Sequence, residues 1–273
     1  MIAIRPYISI IGTGHLASAL LRGWILRGVS ADKFIISNRS KDKLKHLQNT
    51  LHVSVAVDNC AAATAAPILI LGIKPQYMEE VCKELKEIVQ EKKPLIISLA
   101  AVTEIKDLSE WFGVPGLPVV RAMTNTPTEF GKGTTALYAN AQVSEAQKKE
   151  LSALFSQVGY SFWVEKEELL DPLTAAIGSA PAYFLLCMEA MQKAAIAQGI
   201  PETIAKKITF NVAAGTAALA EHSQADLSAL RKGITTPQGV TEFSLKNFPL
   251  DEFIDAFRMV YHAADERIRQ LKN

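Results

Sequence analysis

The sequence predicts an α/β chain, a doubly wound parallel sheet followed by an all-helical domain. Three observations predict it. From Tyr7 to about Met123, short apolar or β-branched runs alternate with amphipathic stretches of helical period, the pattern of βαβ units. Several of those runs are apolar throughout, as strands covered by helices on both faces require. Beyond Leu169 the strand pattern stops.

The elements follow in order. "YISII", "FIIS", "VSVAV", "ILILGI", "LIISL" and "PVVRAM" are six predicted strands, each trailed by a helical stretch. Residues 129–164 add a polar turn, a strand-like "TTALYA", a helix from about Ser144 with Glu145 in its first turn, and a last strand "YSFWV". After "EKEELLD" the chain reads as helices divided by "GSAP", "GIP", "HSQADLS", "GITTPQG" and "NFPL". The expected domains are residues 1–165, binding a nucleotide, and residues 166–273, helical.

Composition narrows the function. A chain of 273 residues with 49% apolar residues can fill about two cores. Twenty-nine basic residues against 28 acidic ones give a net charge of +1, without the field that nucleic acid or an anionic membrane would select. Cys60, Cys82 and Cys187 are odd in number and widely spaced, which fits reduced thiols in packing roles and a cytoplasmic protein. The five histidines lack metal-ligand spacing, so no metal is expected. The apolar start breaks into glycines before a signal-peptide core forms and reads as a first strand. The charge-free run 172–188 is shorter than a membrane span and reads as a buried helix, with no membrane expected.

"YISIIGTGHLASALLRG" places Gly12, Gly14 and Ala17 directly after a strand and at the opening of a helix, the dinucleotide fingerprint of the Rossmann fold. Gly12 permits the tight turn, Gly14 admits a pyrophosphate, and the backbone from Thr13 through His15 and Leu16 points N–H groups at it. An acidic residue that would hold an NAD ribose is missing from "FIISNRSKDK". Ser37, Asn38, Arg39, Ser40 and Lys43 stand there instead, so NADPH is the expected cofactor, with NADH as the alternative donor. Lys74 and Pro75 end the "ILILGI" strand, where ligands sit in open α/β sheets. Asn125, in "RAMTNTP", is placed similarly.

The order of these motifs resembles the pyrroline-5-carboxylate reductases along essentially the whole chain: "GTGHLASAL", "NRS", "IKPQ", "RAMTNTP", "TAAIGSAPAYF", "AIAQGI" and "TTPQGVT". The resemblance implies reduction of a cyclic imine carboxylate to proline by NAD(P)H and an interlocked helical homodimer, with further assembly of dimers left open. Each site would combine one subunit's nucleotide crevice with helices of both chains. The family pattern Ser-Pro-Gly-Gly-x-Thr reads here Thr236-Pro237-Gln238-Gly239-Val240-Thr241, and Gly-Ser-Gly-Pro reads Gly178-Ser179-Ala180-Pro181.

The expected substrate clamp is the threonine loop. Thr236 would cap a helix with Pro237 at its first position, leaving the N–H groups of Gln238, Gly239 and Val240 for a carboxylate. Thr241 would meet the ring nitrogen. Thr241, Thr236 and Lys74 are the expected catalytic residues. Two rival readings are a β-hydroxy-acid dehydrogenase of the same plan, which would need a lysine early in the second domain, and a non-catalytic NADP-sensing protein, for which Gln238 argues.

Overall fold

The computed structural model describes residues 6–272, so the apolar residues that open the chain lie outside the described part. Its sheet has eight strands: β1 Ile8–Ile11, β2 Phe34–Ser37, β3 Ser54–Val55, β4 Ile68–Leu71, β5 Leu95–Ser98, β6 Val119–Met123, β7 Gly133–Ala139 and β8 Gly159–Trp163. They lie in the order β3-β2-β1-β4-β5-β6-β7-β8. The order reverses between β1 and β4, so the carboxyl ends of these two strands flank the crevice where doubly wound sheets bind ligands.

Two strands depart from the sequence expectation. β7 pairs antiparallel with β6, so the sheet is mixed. The 3-10 turn Thr126–Phe130 joins them without a crossover helix, and a parallel return would need one. The run "VSVAV" contributes only two residues to the ladder, because the Asp58 carboxylate accepts the Ala61 N–H at 2.7 Å and starts a helix there.

In this first unit the helices are α1 His15–Leu26, α2 Lys41–Leu51, α3 Asn59–Ala65, α4 Met78–Glu84, α5 Lys86–Lys92, α6 Ile105–Phe112, α7 Glu145–Ser156 and α8 Leu170–Leu173. One face of the sheet packs on Trp24 of α1, which stacks on Phe34 at 5.9 Å and meets the edge of Phe155 at 5.6 Å. The Trp24 Nε1–H donates to the Leu154 carbonyl at 3.0 Å, so the ring is buried without an orphan donor. The other face packs on Met78, Cys82 and Phe112. Burial pushes the Cys82 thiol up to about 12, in keeping with a packing role.

The second unit begins where α8 passes through a π-helical turn, Thr174–Ser179, into α9 Ala180–Ala197. It continues through α10 Glu202–Glu221, α11 Leu227–Gly233, α12 Val240–Lys246 and most of α13 Leu250–Lys272. Chain contacts divide the protein into Ala180–His262 and the remainder, which includes the end of α13. Within a single chain the run expected to be buried lacks cover. Phe184, Leu185 and Leu186 of α9 are 53%, 59% and 66% exposed, and only Ala205 and Thr209 are buried between Ala180 and His262. The segment Glu167–Ala197 would pass as a membrane-crossing helix on length and its mean hydropathy of 1.3.

The end of α13 is fixed by charge. Lys272 Nζ reaches Glu104 at 2.7 Å and Asp171 at 2.6 Å. Its hydrogen bond, followed by that of Lys106, holds the Glu104 carboxyl at about 2, against an ordinary 4.5. A depressed carboxyl stabilises the fold above its unfolded value and loses that contribution as pH falls through the folded one. Lys272→Met is therefore expected to lower stability to urea at neutral pH, with the deficit closing between pH 4.5 and 2. A deficit independent of pH would assign the loss to packing.

Candidate functional site

The crevice at the carboxyl ends of β1 and β4 is a cleft of about 210 Å³ lined by Gly12, Gly14, Arg39, Asn59, Lys74 and Tyr77, among others. A larger recess, about 390 Å³, lies beside it against α1 and α2, with His15, Arg22, Lys43 and His46 in its wall. We assign the nucleotide to the smaller cleft because it sits at the strand ends and contains both fingerprint glycines, whereas the larger recess lies off the outer flank of the two helices.

Gly12 holds φ +84°, and a Cβ there would stand 2.7 Å from the Gly72 carbonyl oxygen. Gly72, the residue after β4, is the reciprocal partner: a Cβ on it would come within 2.3 Å of the Gly12 oxygen. The two backbones touch because neither carries a side chain. At Gly14 a Cβ would meet almost nothing of the protein, which leaves open space above the loop. α1 has no side-chain cap and no acidic residue in its first turn, so its leading N–H groups face that space with their partial positive charge intact. This loop fits a pyrophosphate.

The residues after β2 divide into a brace and an open group. Asn38 Nδ2–H donates to Thr13 Oγ1 at 2.8 Å, and Asn38 Oδ1 accepts the Ser40 N–H at 2.9 Å. Asn38 thus ties the fingerprint loop to the start of α2 while its second Nδ2 hydrogen stays unengaged among the described residues. Ser40 caps α2, its oxygen accepting from the Lys43 N–H at 3.4 Å and its own hydrogen remaining free to donate. Arg39 is exposed and makes no ion pair or hydrogen bond among the described residues. Among the described residues no carboxylate lines the cleft.

Lys74, at the end of the β4 loop, is exposed and likewise without an ionic partner among the described residues; Pro75 turns the chain into the 3-10 helix Pro75–Tyr77. Asn125 is another brace. Its Nδ2–H donates to the Ile177 carbonyl of the π turn at 3.1 Å, and its Oδ1 accepts the Thr134 N–H at 2.9 Å, so both ends of the amide are engaged. The second Nδ2 hydrogen is not engaged among the described residues and remains for the carboxamide or ribose oxygen expected there. Sequence reasoning missed Gly72, Asn59 and Tyr77 as cleft residues, although Tyr77 immediately follows the "IKPQ" motif. It also missed Glu167, whose Oε1 accepts from the buried Arg121 at 2.8 Å and from the Ile105 N–H at 2.8 Å.

The threonine loop lies in the helical unit. α12 begins at Val240 with Gly239 as its N-cap, so Thr236 does not cap a helix and Pro237 is not its first residue. Residues 236–239 form a turn closed by the Gly239 N–H on the Thr236 carbonyl at 2.9 Å, with Pro237 second and Gln238 third at φ +59°. The Gln238 N–H donates to Glu242 Oε2 at 2.8 Å. Of the three N–H groups expected to await a carboxylate, two are therefore already paired, and that of Val240 has no partner among the described residues. Accepting the Gln238 N–H also lowers the pKa of Glu242. Thr236 and Thr241 are exposed, and their hydroxyls make no hydrogen bond among the described residues.

Gln238 occupies the first glycine position of the family pattern, in a conformation that costs a side-chain-bearing residue about 1–2 kcal/mol. Glycine would remove that strain while losing about 0.5–1 kcal/mol of unfolded-chain entropy. Gln238→Gly is accordingly expected to stabilise the loop by about 0.5–1 kcal/mol, read as slower amide exchange at Gly239, whose N–H closes the turn. Faster exchange would mean that the Gln238 side chain holds the turn. The retained glycine has a different reason: a Cβ on Gly239 would stand 2.9 Å from the Thr236 oxygen.

A family model described as pyrroline-5-carboxylate reductase dimerisation matches residues 167–271, and one described as NADP oxidoreductase, coenzyme F420-dependent, matches residues 7–102. The chain is 35% identical over 266 residues to the pyrroline-5-carboxylate reductase of Pseudomonas aeruginosa, spanning 97% of both chains. The solved pyrroline-5-carboxylate reductase of Coxiella burnetii superposes with a TM-score of 0.89 at 33% identity, over 99% of this chain and 100% of that one. That of Plasmodium falciparum, solved with NADP bound, gives 0.87 over 98% of each chain at 23% identity, which speaks to the fold alone.

Proposed function

Since the chain belongs to the pyrroline-5-carboxylate reductase family, we propose that it reduces 1-pyrroline-5-carboxylate to L-proline with NADPH, the last step of proline biosynthesis. The observation that carries the cofactor assignment is the acid-free cleft beneath an uncapped helix, with the Arg39 guanidinium open at its rim.

NADPH, when bound, supplies the hydride that converts the C=N bond to C–N. The chain's own residues bind and orient. Gly12, Thr13 and Gly14 shape the loop, and the N–H groups of His15 and Leu16 hold the pyrophosphate. Arg39 and Ser40 take the 2′-phosphate, with Asn38 bracing them. Lys74 and Pro75 border the cleft, where the Lys74 ammonium is available to a developing negative charge. On the substrate, Thr236 Oγ and the Val240 N–H hold the carboxylate, with Gln238 and Gly239 setting the turn that presents them. The Thr241 hydroxyl hydrogen-bonds the ring nitrogen, which takes its proton from solvent as it becomes an amine.

The domain that binds substrate and dimerises is taken to begin near residue 166, one residue before the family match. A second copy of the chain covers the exposed apolar faces of α9 and α10, which explains them without a membrane; the protein is cytoplasmic and binds no nucleic acid. The β-hydroxy-acid reading finds no support in α9, where the first lysine, Lys193, is paired with Glu189 at 2.6 Å. NADPH oxidation with a panel of cyclic imine acids tests the proposal. The five-membered ring is expected to react fastest; oxidation with none of them would leave a nucleotide-binding protein.

A further inference from the structure

We propose that Tyr77 is a specificity-determining positioning residue, holding the Arg39 guanidinium face-on so that its open edge meets the cofactor's 2′-phosphate. The inference rests on the NADPH reading above. Arg39 leaves the end of β2, and Tyr77 ends the 3-10 turn after β4; both line the same cleft. The guanidinium carbon lies 4.2 Å from the Tyr77 ring centroid, a cation–π contact. Arg39 makes no hydrogen bond or ion pair among the described residues, so its N–H donors remain unused there.

The chemistry follows from that arrangement. A guanidinium recognises a phosphate through its edge, by two parallel N–H···O bonds, and not through its face. A ring beneath the face therefore occupies the surface that contributes nothing to phosphate recognition and fixes the plane of the fork. A long exposed side chain loses rotamer freedom when it binds, and a side chain already held loses less. The backbone that carries the ring is itself fixed. The Tyr77 N–H donates to the Lys74 carbonyl at 3.0 Å, and Pro75 sets the turn. Lys74, Pro75 and Tyr77 thus serve one cleft from one short turn, and the sequence feature that selects NADPH is split between the ends of two strands.

The test compares binding of adenosine 2′,5′-bisphosphate with that of adenosine 5′-monophosphate by calorimetry, which needs no turnover. Arg39→Ala should bring the ratio of the two affinities close to one. Tyr77→Leu should reduce that ratio about two- to fivefold, the worth of an exposed cation–π contact, while leaving the monophosphate affinity nearly unchanged. Tyr77→Phe, which keeps the ring, should retain the wild-type ratio. In the Arg39→Ala background, Tyr77→Leu should have no further effect on it. Equal weakening of both nucleotides by Tyr77→Leu would make Tyr77 an adenine contact and overturn the inference, as would an unchanged ratio. If Arg39→Ala itself leaves the ratio unchanged, the phosphate assignment falls and this inference with it. Resistance of each variant to urea reports independently whether the cleft is still folded.

Discussion

Thr241→Val is expected to lower kcat/KM for the cyclic imine roughly ten- to a hundredfold, the loss of one transition-state hydrogen bond worth about 1–3 kcal/mol. Stability should not change. The Thr241 hydroxyl is exposed and has no hydrogen bond among the described residues, so valine removes no contact that the fold uses. That separates the roles clearly. A threonine serving only the start of α12 would give a variant with full activity, and a near wild-type efficiency in a normally folded dimer would sink the catalytic assignment. Thr236→Val, measured alongside, reads whether its hydroxyl belongs to the carboxylate clamp.

Gly12→Ala is expected to damage both folding and cofactor binding. The residue would sit at φ +84° with its Cβ 2.7 Å from the Gly72 oxygen. The left-handed backbone costs about 1–2 kcal/mol and the contact, which only a backbone shift relieves, about 1–3 kcal/mol more. The shift moves the loop whose N–H groups are proposed to hold the pyrophosphate. NADPH affinity measured by fluorescence titration should fall at least tenfold, alongside reduced resistance to urea. Retention of wild-type affinity would mean that the loop absorbs a methyl group without moving its donors. Gly72→Ala should reproduce the defect from the opposite strand, although Gly72 belongs to no glycine motif.

How much of this was legible in the sequence depends on whether the cause was local. The strands were, because Val, Ile and Leu runs such as "ILILGI" have few other uses, and so was the fingerprint motif, whose three positions fall within six consecutive residues. The reversal of β7 was not, since strand direction is decided by the connection and not by the strand. The pairing of Arg121 with Glu167 joins residues 46 apart, which no periodicity marks. Asn38 and Asn125 were correctly placed at strand ends, yet their roles turned on which partners the fold supplied. The threonine loop was found as a motif, but its helix starts three residues later than Pro237 suggests because Gln238 adopts a left-handed backbone. The run 172–188 was read as buried because it is apolar. An apolar run demands cover without saying whether its own chain provides it.

That last point makes this protein's stability a matter of concentration. Between Ala180 and His262 only Ala205 and Thr209 are buried, so the helical unit has almost no interior of its own while it bears the dimerisation segment. Its interior forms between two copies, and its equilibrium with the unfolded state is then second order. Dilution acts on it as a denaturant. The melting temperature of the helical unit should rise with the logarithm of protein concentration, whereas the sheet unit, with Trp24, Phe34 and Phe155 packed inside one chain, should melt independently of it. At low abundance newly made chains would dwell as folded nucleotide-binding units trailing unpaired helices, so the rate at which two chains meet sets how much of the enzyme is ever complete.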